Sequence, residues 1–431
     1  MQGENVPARS DNKSWAKDTG WILSATVLRN VGLIVILVLL ARLTSADVVG
    51  RYALALAMTT PFFIFAQLGL KGVYLTMQAD YRFRSYVLVQ VVTLFLAFVA
   101  SLVAALIFTP GVTLTVALVA AIKAADAMSD IFSGPMQKYR NAYRVFVAYF
   151  IGALAGSAVT ATALALTGLL DAALAGLLVI SVFTAIVLMG FPARRLTMRH
   201  EDTAHARLHP QEDRRAILRA GLPMGVAGAI LALVSSMPQF FLARSYGEAV
   251  VGVFAVLLYV LAVVEIFTGS LTLTWIPRAR RALKDHENDL HRFFKLVAAT
   301  AGLWTLAFIP AAVLGLWVMS LVLPAVLGPH YTIRIEEALP LALGVILLPA
   351  VHFSGTAIAV RNFWVQGVAV SVAAATASLV ACVVLVAPLG VAGGLWATAS
   401  AFAARAVLSF AILYRRSSRL AQSADVAEPQ P

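Results

Sequence analysis

The sequence predicts an all-α integral membrane protein, with about twelve transmembrane helices in two six-helix lobes. Three observations predict it. Of the 431 residues, 61% are hydrophobic and only 13% charged, where a soluble domain carries about 25% charged residues. The apolar residues fall into twelve windows of spanning length. A short polar corner at the end of the first window recurs at the end of the seventh.

The composition excludes a water-soluble fold. Mean hydropathy is +0.86, and surface-to-volume scaling leaves too much of any folded surface exposed for that apolar content to be hidden from water. The single cysteine, Cys382, lies inside an apolar run and can form no intramolecular disulfide. It reads as a small packed hydrophobe. No metal-ligand spacing and no cofactor motif accompany it.

A spanning helix needs about 20 mostly apolar residues. Windows of that kind lie near 19–42, 51–76, 85–108, 111–132, 146–168, 171–190, 217–243, 251–276, 293–323, 337–360, 363–386 and 390–414. The first could be mistaken for a cleaved leader, since Thr44-Ser45-Ala46 follows it. Its apolar run is longer than the 7–15 residue core of such a leader, so it reads as a permanent span. The ninth window is long, and Pro310 inside it lets a tilt or kink absorb the excess.

Twelve spans put both termini on one side. Of the 33 Lys and Arg residues, 25 fall on the tails and the loops of that side. Only Arg42, Arg51, Arg244 and Arg334 fall on the other. This bias places both termini in the cytoplasm. Most of the net charge of +12 is therefore topological. It suits anionic lipid headgroups and does not call for nucleic acid.

The repeat sets the lobes. LARLTSADVVGRYA at 40–53 matches LARSYGEAVVGVFA at 242–255, pairing Leu40 with Leu242, Arg42 with Arg244, Val49 with Val251 and Gly50 with Gly252. An even number of spans separates the copies, so the lobes are parallel, related by an axis along the membrane normal. This divides the chain into an N-terminal lobe at 1–190, a cytoplasmic linker at 191–216, a second lobe at 217–418 and a disordered tail at 419–431. Arg42 and Arg244 fall at helix C-termini, where a cation suits the helix dipole. Gly50 and Gly252 are expected to ease the tight re-entry of the next helix. The linker's His200-Glu201 and His205 have an H-E-x-x-x-H spacing. That is not the H-E-x-x-H that sets two ligands on one helical face.

Ionisable groups inside a span are costly and usually face a cavity. The chain has eight: Arg29 in span one, Lys71 in span two, Lys123, Asp126 and Asp130 in span four, Glu265 in span eight, His352 in span ten and Arg405 in span twelve. Lys123, Asp126 and Asp130 share one helical stripe, which suits either a neutralised pair or a functional site. Asp130 is near enough to the cytoplasmic edge to be hydrated. Arg29 has no carboxylate at helical spacing on its own helix, so its partner must come from another span or from a ligand. Lys71 and Arg405 either line a cavity or snorkel to the interface. His352 reads as an interior histidine or a cavity group, and Glu265 as the partner of a cation or an ion-coupling carboxylate.

No catalytic motif stands out. The loops on the far side are short, and there is no carboxylate pair, Walker A sequence or G-x-S-x-G, so the chain does not read as an enzyme. RARRALKDHENDLHRFFK at 278–295 has charges on one side and Leu283, Leu290, Phe293 and Phe294 on the other. That pattern predicts a helix lying in the membrane interface.

Four stretches carry a family resemblance. The corner LARLTSADVVGRYA with AQLGL at 66–70, DIFSGPMQKYR at 130–140, LRAGLPMGV at 218–226 and LPAVLGPHYTIRIEEALPLALGVIL at 323–347 together resemble the Wzx-type O-antigen and polysaccharide flippases. These belong to the multidrug/oligosaccharidyl-lipid/polysaccharide (MOP) superfamily. DIFSGPMQKYR is similar to that family's G-x-x-Q loop after span four. The resemblance implies a MATE-like fold, two six-helix lobes around a central cavity, working by alternating access. It implies an undecaprenyl-diphosphate-linked oligosaccharide as substrate, with membrane lipids, a polysaccharide polymerase and glycosyltransferases as partners. On that view Arg29, Lys71, Lys123, Arg405 and His352 contact the substrate, since a guanidinium grips phosphate oxygens bidentately. Asp126, Asp130 and Glu265 then serve ion coupling or charge pairing. A cation-coupled multidrug exporter of the same superfamily is the alternative.

Overall fold

The structure is a computed structural model and describes residues 10–76, 81–201, 210–285, 290–361 and 363–425. Among them every regular element is helical. Twelve helices are long and apolar enough to cross a membrane: Gly20–Leu43, Ala46–Thr76, Phe83–Phe108, Pro110–Lys138, Ala142–Thr167, Leu170–Arg199, Asp213–Tyr246, Glu248–Thr272, His291–Leu327, Ile335–Val360, Val365–Leu389 and Val391–Arg415. They fall on the expected windows in the expected order and are called spans one to twelve below.

Several helices outrun their apolar windows, because adding a residue to an existing helix is far easier than starting one. Span four reaches Lys138, so all of DIFSGPMQKYR but Tyr139 and Arg140 is helix and not a loop. Gly134 there lies against the Tyr74 ring. Span six passes through a π-helical stretch, Thr184–Gly190, and continues as the helix Phe191–Glu201, where Ala193 is fully buried. The expected linker thus begins as helix, and its residues 202–209, with His205, lie outside the described residues. The last helix runs to Asp425, into the stretch expected to be a disordered tail. The expected interfacial helix at 278–295 does not form as a separate element. Its first part extends the helix Glu248–Asp285 and its last part opens the helix Leu290–Leu327. Leu283, Phe293 and Phe294 pack with Trp275, Phe353 and Leu413, a closer fit for their apolar surface than a headgroup layer.

The helices pack as two units. One is Met1–Thr44 with Met58–Gly225, the other Ser45–Ala57 with Val226–Pro431. The sequence repeat pairs whole spans, whereas these units divide spans two and seven.

In the first unit, span two is broken. Its helix Ala46–Gln67 stops, Leu68 and Gly69 take left-handed φ of 50° and 59°, and a short helix, Leu70–Thr76, follows. Left-handed backbone is natural for glycine and strained for leucine. The break frees carbonyls in a membrane-spanning segment, and each needs a partner. The Ala66 carbonyl accepts from Gln90 Nε2 at 3.1 Å and from Thr93 Oγ1 at 2.7 Å. Gly221 and Gly225, from LRAGLPMGV, lie flat against the Leu68 and Phe65 carbonyls, where a Cβ on either would come within 2.7 Å. This is small-residue packing at i and i+4, which lets two backbones approach closely without help from hydrophobic burial.

In the second unit the twin corners meet. A Cβ on Gly50 would strike the Glu248 carbonyl, and one on Gly252 would strike the Ala46 carbonyl. Neither glycine has a positive φ, so their role is this close approach and not the expected re-entry turn. Arg51 Nε and Glu248 Oε2 are 3.2 Å apart beside the contact. Arg42 and Arg244 do sit in last helical turns.

Candidate functional site

The in-span charges gather into one cluster in each unit. In the first unit the break in span two sets Lys71 at the start of the short helix, across from span four. Lys71 Nζ lies 3.2 Å from Asp130 Oδ1. Arg29 Nη1, from span one, lies 3.7 Å from the same oxygen. The partner that Arg29 required thus comes from span four. Asp130 is not simply hydrated, and Lys71 pairs inward and does not snorkel. Lys123 and Asp126 follow on the same face of span four, and Asp126 lies beside the Ser181 hydroxyl of span six. The Arg29 guanidinium also stands 5.8 Å from the centroid of the Tyr149 ring in span five.

These groups are not sealed in a core. The Arg29 side chain is 45% exposed and that of Asp130 29%. Between spans two and four lies a cavity of about 300 Å³ lined by Gln67, Lys71, Gln90, Asp130, Ile131 and Met224. Three cations face two carboxylates here, and one carboxylate is shared by two cations. On formal charge the five groups sum to +1 when all are ionised.

The second unit joins Glu265, His352 and Arg405 from spans eight, ten and twelve. His352 Nε2 is 3.9 Å from Glu265 Oε1. The Arg405 guanidinium rests on Gly355, 3.5 Å from where a Cβ would stand, and it interacts electrostatically with Glu265. One cation and one carboxylate leave this cluster balanced when the imidazole is neutral.

Sequence reasoning named the charges but missed Tyr149, Ser181, Gln90 and the break at Leu68-Gly69. A tyrosine in an apolar span carries no periodic signal. The adjacent Gly69 was the one local hint of a left-handed break.

The G-P-x-Y element between spans nine and ten turns at Gly328, with a φ of 107°. Its Tyr331 is buried, which pushes the phenol up.

Comparison with known structures identifies the architecture. The lipid II flippase MurJ, in an inward closed conformation, superposes with a TM-score of 0.65 at 10% identity, covering 95% of this chain and 93% of that one. A MATE transporter of Vibrio cholerae gives 0.64 at 12% identity, covering 94% and 97%. A MOP-superfamily transporter from Pyrococcus furiosus, described as having a binding pocket of reversed polarity, gives 0.58 at 13% identity, covering 95% and 96%. The fold is therefore the one these transporters share. The family profile described as polysaccharide biosynthesis protein matches residues 15–283, and the chain belongs to that family. No curated protein matches the chain by sequence.

Proposed function

We propose that the protein is a flippase for a lipid-linked oligosaccharide. It carries an undecaprenyl-diphosphate-linked unit from the cytoplasmic to the outer leaflet by alternating access, for O-antigen, exopolysaccharide or capsule assembly. The observation that carries the reading is the surplus cation of the first cluster. Asp130 is divided between Lys71 and Arg29, so Arg29 keeps donors for a diphosphate, which a guanidinium grips in a forked geometry. Lys123 and Lys71 add positive potential along the same path, and Arg405 with His352 supplies a second contact. The polyprenyl tail stays in lipid. Both termini lie in the cytoplasm, and glycosyltransferases before the step and a polymerase after it are the partners. A cation-coupled drug exporter would rely on Asp126 and Asp130, and Asp130 is already engaged by two cations.

The test is complementation of a deletion strain. Arg29→Ala abolishes surface polysaccharide at normal protein level, and Arg29→Lys keeps part of it. Full polymer yield with Arg29→Ala overturns the assignment, and drug hypersensitivity of the deletion strain would favour the exporter.

A further inference from the structure

Spans one and five run side by side, matched layer by layer. Trp21 meets Phe146, with ring centroids 5.1 Å apart. Ala25 is buried together with Val145 and Ala148. Further along, Gly32 lies against Ala153, where a Cβ would stand 3.1 Å from the Ala153 Cβ. Between these tight layers sit Arg29 and Tyr149, so the helix pair fixes the distance between guanidinium and ring. A guanidinium within about 6 Å of an aromatic centroid is held by the ring's quadrupole, and here the separation is 5.8 Å. Arg29 is only loosely engaged by Asp130, at 3.7 Å, where a committed charge-assisted pair sits near 2.7–2.9 Å. The Tyr149 hydroxyl is buried beside the Arg29 guanidinium, which can only donate to its oxygen, so its own proton has no acceptor among the described residues, although buried hydroxyls are normally satisfied.

We propose that Tyr149 serves the same anion as Arg29: its ring positions the guanidinium, and its hydroxyl donates a hydrogen bond to the phosphate oxygen that Arg29 grips. The proposal rests on the reading of Arg29 as a substrate-binding residue. It adds a phenol donor to a site otherwise made of cations, and it assigns span five a part in recognition.

The test uses the full chain in lipid nanodiscs, with undecaprenyl diphosphate as probe and undecaprenol as the uncharged control. Wild-type protein binds the diphosphate more tightly than the alcohol. Tyr149→Phe keeps the ring and the volume, leaves the thermal midpoint unchanged and weakens diphosphate binding about tenfold, the loss of one hydrogen bond to a charged group. Tyr149→Leu weakens it further, because the ring is lost as well. In an Arg29→Ala background the loss caused by Tyr149→Phe shrinks, as coupled residues in one site require, which a merely structural tyrosine would not do. Wild-type affinity in Tyr149→Phe, beside weakened binding in Arg29→Ala, overturns this proposal and leaves the proposed function standing. Equal binding of diphosphate and alcohol by the wild-type protein overturns the proposed function itself.

Discussion

Replacing Asp130 with asparagine removes one negative charge and leaves Lys71 and Arg29 facing each other without it. At an effective dielectric near 20, Coulomb's law gives about 5 kcal/mol at the Lys71 distance of 3.2 Å and about 4.5 kcal/mol at the Arg29 distance of 3.7 Å. These are gross values. The three side chains are 27%, 29% and 45% exposed, so water screens the pairs, and desolvation offsets part of each. A net cost of about 2–3 kcal/mol follows for Asp130→Asn, between the ranges for exposed and buried pairs. Lys71→Met removes one cation and leaves the Arg29–Asp130 pair, for a cost of about 1 kcal/mol on the same scale. The double variant removes the orphaned ammonium along with the carboxylate, so its cost is less than the sum of the two. Thermal unfolding of the purified protein in one detergent measures all three. If Asp130→Asn is no less stable than Lys71→Met, or if the two costs simply add, the shared-carboxylate reasoning is wrong.

Other outcomes follow from the backbone contacts and the charge bias. Gly50→Val drives a side chain into the Glu248 carbonyl and should destabilise by about 1–3 kcal/mol or more. Gly72→Ala, with nothing within 4 Å of its Cβ, is the matched control and should be neutral or stabilising in thermal unfolding. Gly69→Ala combines a positive φ with a Cβ placed 3.1 Å from Met224 Sδ and should cost about 1 kcal/mol or more by the same measurement. Cysteines introduced at positions 202–209 and near the C-terminus should resist an impermeant thiol reagent added to intact cells, as cytoplasmic positions do. Labelling of both would reverse the topology.

Twelve spans, their order and the in-span charges were all legible in the sequence. Spanning is a local property: about 20 apolar residues in a row must be helical in lipid, whatever their neighbours do. Arg29, Asp126 and Glu265 stood out for the same reason, since a charge in an apolar window is conspicuous on its own. The helix ends were less legible. Span four ran on to Lys138 because extending a helix is easier than starting one, and Leu283, Phe293 and Phe294 of the amphipathic stretch joined a core that its own pattern could not reveal.

The sequence alone determined that this is a twelve-span membrane protein with a repeated corner and eight ionisable groups in its spans. Only the tertiary structure decided what those features do. It brought Lys71 and Arg29, 42 residues apart in the chain, to one oxygen of Asp130. It set Tyr149 beside Arg29, and it laid the corner around Gly50 against that around Gly252. The physical reason is common to all three. Hydropathy is written along one segment, whereas a charge pair or a backbone-to-backbone contact is made between segments, and its geometry exists only after the helices have packed.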